Sequence, residues 1–82
     1  MKLYGHAIAT PAGQAVDREA LSEITLVASP TELRRIAEFL STAATTMERM
    51  GETYRHARLS DWDRSFRSSP RFVVGSSDTE DV

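Results

Sequence analysis

The chain has 82 residues, ten basic and twelve acidic, and a formal net charge of −2. That is room for one domain with a thin core, since at this size only about 60 % of the unfolded chain's surface is buried on folding. Without a single cysteine it can hold no disulfide, thiolate metal site or cysteine nucleophile. Its excess of acid also lacks the overall positive charge that drives general nucleic-acid binding.

The opening stretch, KLYGHAIA, alternates Tyr4, His6 and Ile8 against Leu3, Gly5 and Ala7, which predicts a strand. Gly5 and His6 interrupt its apolar run before it could form the core of a signal peptide. No other segment approaches the roughly 20 apolar residues of a membrane span. A small secreted domain would also carry disulfides, so the expected setting is the cytoplasm, with no membrane contact. Next, TPAGQAVDREA gathers Pro11, Gly13 and Asp17 into a turn-forming loop. LSEITLVA (Leu21 to Ala28) then reads as a second strand, joined to the first as an antiparallel hairpin.

Ser29-Pro30-Thr31-Glu32 has the form of a capping box with proline at the first helical position. Behind it, Leu33, Ile36, Ala37, Leu40, Ala43, Ala44, Met47 and Met50 recur at three- and four-residue steps, so one apolar stripe is expected to face a core. Gly51 fits a left-handed C-terminal cap, and Arg49 in the last turn complements the helix dipole. The helix is therefore placed at 30–50. Its other face, including Glu32, Arg35, Glu38 and Thr42, mixes both charge signs and reads as solvated.

After the helix, TYRHARLS and RFVVGS (Arg71 to Ser76) read as two further strands around an aperiodic loop, SDWDRSFRSSP. The order is β-β-α-β-β, an α+β class in which the long amphipathic helix covers a three- to four-stranded, mainly antiparallel sheet. Residues 1–76 form the domain, and 77–82 an acidic tail that frays. Such an open sheet leaves edges and a face uncovered, and a homodimer would cover them.

Candidate chemistry is sparse. His6 and His56 are the two histidines, placed on different strands without further ligands at metal-binding spacing, so they read as strand-surface residues. No nucleophile elbow, metal-binding helix or glycine-rich phosphate loop is present. Asp61 and Asp63 lack the glycine and glutamate of a calcium loop and read as solvated carboxylates. No catalytic role, metal or cofactor is expected. Trp62, Arg64, Phe66 and Arg67 have the composition of a protein contact patch. The same two aromatics also suit feet that pin the loop to the core, and both readings stand.

The succession "LSEITLVASPTELRRIAEFLSTAATTMER", "RHARLSDWDRSF" and "PRFVVGSSD" resembles the immunity proteins of bacterial polymorphic toxin systems, the family numbered 32, over residues 21–76. The likeness rests on a strand, a capped S-P-x-E-L helix, an H-x-x-L strand with the Trp/Phe loop, and a closing strand. It implies a small non-catalytic protein that binds and neutralises a cognate toxin in the producing cell. The implied contacts are Trp62, Arg64, Phe66 and Arg67, with His56 and Arg58 on the adjoining strand. The alternative is a dimeric DNA-binding regulator presenting the arginines of the 55–71 region to phosphates; nucleic acid is otherwise not an expected partner.

Overall fold

In the computed structural model, residues 1–7 and 20–77 are described. The expected hairpin loop, the far end of the first strand at Ile8 and Ala9, and the acidic tail from Asp78 onward lie outside them. The elements run β1 (Lys2–Ala7), β2 (Leu21–Val27), α1 (Pro30–Met50), a 3-10 turn (Gly51–Thr53), β3 (His56–Arg58), α2 (Leu59–Trp62), a second 3-10 turn (Arg64–Phe66) and β4 (Val73–Gly75). No helix among the described residues is long and apolar enough to cross a membrane.

Helix α1 begins and ends where its sequence signals lie. The Ser29 hydroxyl accepts from the Glu32 N–H at 3.1 Å, and the Glu32 carboxylate accepts from the Ser29 N–H at 2.9 Å, closing the capping box. At the other end Gly51 has φ 55° and ψ −125°, and its N–H bonds to the Met47 carbonyl. That backbone has the positive φ that favours glycine, although its ψ departs from the expected left-handed cap.

Which face is buried differs from the expected stripe. Ile36, Phe39 and Ala43 are buried, whereas Leu33 and Leu40 are 45 % and 43 % exposed and Met50 also faces water. The helix is thus rotated by less than one residue step of about 100°, enough to put Phe39 at the centre. The large ring decides the outcome because it removes more apolar surface from water than either leucine would. Ile36, Phe39, Leu59 and Phe66 form the core, flanked by Met1, Leu26, Ala57, Trp62, Phe72 and Val74.

The strands form two antiparallel pairs, β1 with β2 and β3 with β4, in place of the expected three- to four-stranded sheet. β3 and β4 are three residues each, and both pairs meet on the same core, Met1 and Leu26 from one and Ala57 and Val74 from the other. β1 and β2 pair from Lys2↔Val27 to His6↔Glu23, and a bulge at Ser22 brings Leu21 opposite Ala7. Leu21 lies over Gly5, where an added Cβ would stand 2.9 Å from the Leu21 Cδ1, so a larger residue would push the half-exposed Leu21 side chain aside. The ribbon is anchored at one end: Met1 and Leu26 pack on the core, and the Met1 amino group donates to Glu32 at 2.9 Å and to the Ser69 hydroxyl at 3.4 Å. Further out, Tyr4 and Ile24 are 55 % and 62 % exposed.

Truncation should separate the two helix faces. Phe39→Ala is expected to cost about 3–5 kcal/mol, a large part of a small domain's stability, while Leu40→Ala should stay within about 0.5–1 kcal/mol. Urea denaturation followed by circular dichroism checks both values. Ser29→Ala, measured in the same way, should cost about 1 kcal/mol through loss of the cap.

Candidate protein-binding groove

The aperiodic loop is two single turns joined by an aspartate. Leu59, 1 % exposed, anchors the first turn, and its N–H donates to the Phe72 carbonyl at 3.0 Å. Asp63 ends that turn with extended backbone and donates its N–H to the Leu59 carbonyl. Its carboxylate then caps the second turn, accepting from the Ser65 N–H at 3.0 Å and the Ser65 hydroxyl at 2.8 Å. Local side-chain bonds of this kind replace a regular ladder, which is why neither strand nor helix periodicity is visible in the residues.

Phe66 is 3 % exposed and belongs to the core, so it is a foot of the loop and drops out of the exposed contact patch. Trp62 is half-buried. Its ring lies 5.8 Å from Phe39, centroid to centroid, at 53°, and the Arg35 guanidinium stands 5.0 Å from its centre, within the range of cation–π attraction. Arg35 also donates through Nε to the Asp63 carboxylate at 2.9 Å. A residue read as part of a solvated helix face thus fixes both the tryptophan and the turn beside it.

Between α1 and the β3–α2 segment lies a groove of about 360 Å³. Phe39, Thr42, Ala43 and Thr46 form its helix wall, and His56, Ala57, Arg58, Asp61 and Trp62 the other. Of the six expected contact residues it brings together His56, Arg58 and Trp62. Arg64 and Arg67 sit on the second turn, exposed and outside the lining, with Phe66 buried between them. Of the helix wall, Ala43 lies on the expected stripe, while Phe39, Thr42 and Thr46 were missed as groove residues; their signal is the recurrence of Phe39, Thr42 and Thr46 at steps of three and four beside that stripe.

Electrostatically the groove is open on its β3 side. Arg58 and Asp61 approach only to 3.9 Å and both are well exposed, so neither is locked by the other. His6 lies on the separate β1–β2 ribbon and takes no part in the lining. No group of three or more His, Asp or Glu able to hold a metal exists among the described residues.

Two carboxylates outside this open pair are held below their ordinary range. Glu32 is lowered by the Ser29 N–H and then by the Met1 amino group, and Asp63 by the Ser65 hydroxyl and N–H and then by Arg35. A carboxylate more acidic in the folded than in the unfolded chain stabilises the fold above its unfolded pKa, and that contribution is lost as pH falls through the folded value. Melting temperature should therefore drop as pH is lowered from about 4, and Asp63→Asn should flatten that drop; thermal scans across the acid range read both.

Comparison of the chain with protein-family models, curated proteins and solved structures finds no match.

Proposed function

We propose that this chain is a small non-catalytic protein-binding module that works through the groove and its arginine rim. From the resemblance of residues 21–76, the more specific proposal is an immunity protein that neutralises a cognate bacterial toxin by covering part of its surface. The observation that carries the reading is the groove's lining: an aromatic floor of Phe39 and half-buried Trp62, hydroxyls from Thr42 and Thr46, and a loosely paired Arg58 at the rim. Tryptophan and arginine dominate binding energy at protein interfaces, and an aromatic floor with a polar rim is the usual anatomy of such a contact. Arg64 and Arg67 extend the cationic rim, while Phe66 acts from inside by holding their turn in place. Catalysis is no part of the proposal.

The test uses Arg58→Glu with Arg67→Glu, two exposed positions whose exchange leaves folding within about 0.5 kcal/mol. Wild-type protein should co-purify a partner from cells of its source, and the double variant should lose it. For the immunity reading, a cell expressing that partner alone should stop growing, and growth should return with the wild type but not with the variant. A partner retained equally by both forms would overturn the groove and rim as the contact surface. A partner without toxicity would overturn immunity while leaving the binding module standing.

A further inference from the structure

Among the described residues, one edge of the strand that lines the groove has no partner strand. β3 and β4 pair as His56↔Gly75, Ala57↔Val74 and Arg58↔Val73, and the Leu59 N–H bond to the Phe72 carbonyl continues the same register by one residue. Hydrogen-bonded and non-hydrogen-bonded pairs alternate in an antiparallel ladder. Leu59 and Phe72 are a bonded pair, so Ala57 and Val74 are the next one, and the main-chain groups of His56 and Arg58 point away from β4. Among the described residues β3 has no second neighbour. The Arg58 carbonyl starts α2, for which Arg58 is the N-cap. What remains at the edge is the His56 N–H and carbonyl and the Arg58 N–H, on a strand that lines the groove together with Thr42, Ala43 and Thr46.

Charge narrows the kind of chain that fits. Between Arg55 and Arg71 stand five arginines and two aspartates, in a molecule that is acidic overall. Within the lining, Arg58 is met only by Asp61, at 3.9 Å and with both side chains well exposed, and Asp63 is already committed to Arg35 and Ser65. An incoming segment carrying carboxylates is therefore attracted, and one carrying lysines is repelled. Nucleic acid would satisfy the arginines but has no peptide groups to match a strand edge.

We infer that the groove binds an extended acidic segment of the partner protein, which adds to β3 as a third strand, seats a side chain against Trp62 and Phe39 and places a carboxylate at Arg58. Main-chain bonds supply affinity in this mode and the side-chain seats supply selectivity. The inference rests on the protein-binding reading above and specifies how that surface is used.

The experiment uses the full chain and a short blocked peptide alternating glutamate with valine and carrying one tyrosine, added in excess. It is read by amide shifts and hydrogen exchange at His56 and Arg58. Exchange at both amides should slow by about tenfold or more as the edge becomes paired. The same peptide N-methylated at alternate residues, and its lysine counterpart, should leave both amides unchanged. Thr42→Glu, an exposed helix position on the far wall, should weaken the acidic peptide about tenfold while the helix content stays that of the wild type. No change at the two amides, equal binding of the N-methylated peptide, or the same protection by a single-stranded DNA oligonucleotide would overturn the inference. If a captured partner requires Arg58 yet leaves the His56 and Arg58 amides exchanging freely, strand addition fails and the binding module does not.

Discussion

The core of the described residues is organised around the ring of Phe39. It is 2 % exposed and meets Trp62 at 5.8 Å and Phe72 at 6.3 Å, the latter edge-on. One side chain thereby ties the helix to α2 on one side and to the segment entering β4 on the other. Edge and tilted contacts between rings are favourable beyond the area they bury. In a chain this small, whose core comprises Ile36, Phe39, Leu59 and Phe66, no second cluster among the described residues can substitute for that contact.

The groove arises from the residues beyond Phe39 along the helix. One turn further on, the core-facing position is Ala43, and across from it β3 offers Ala57. Two alanines cannot fill the space that a leucine and a valine would close. The helix and the strand therefore remain apart where Phe39 no longer wedges against Trp62. Thr46 continues the helix wall with a hydroxyl, and His56 and Arg58 turn outward from β3 because Ala57 turns in. Packing that is tight at Phe39 and thin at Ala43 leaves a groove whose floor and walls come from α1, β3 and α2.

Local signals made much of this legible in the residues. The capping box, Pro30 and Gly51 mark α1 at both ends because capping depends on nearest neighbours alone. The β-β-α-β-β order also comes from local patterns, with two short helical turns added in the Trp/Phe loop. The sheet arrangement was not legible, since whether two hairpins join depends on long-range placement that no local pattern records. The buried helix face was misjudged because a count of apolar positions weighs Leu33 and Leu40 like Phe39, whereas burial tracks the ring that can reach Leu59 and Phe72. Of the groove residues, Trp62 was singled out by residue type, and His56 and Arg58 only through the family resemblance. The sequence missed Arg35, Thr42 and Thr46, whose roles exist only once α1 and β3 are side by side. Phe66 could be a foot or an anchor from composition alone, and only its position beneath the second turn decides it.

The charge of the molecule has the same dependence on placement. A net charge of −2 suggests a surface indifferent to acidic partners, yet the two aspartates nearest the arginines of the loop are not equivalent. Asp63 is occupied by Arg35 from the helix and by Ser65, so it stabilises the turn and contributes little to screening Arg64 and Arg67. Asp61 stands 3.9 Å from Arg58 with most of its carboxylate in water, where pairing is weak. A carboxylate used to build the loop is one that no longer neutralises it, and so a chain acidic in sum leaves a loosely paired Arg58 in the lining of the groove.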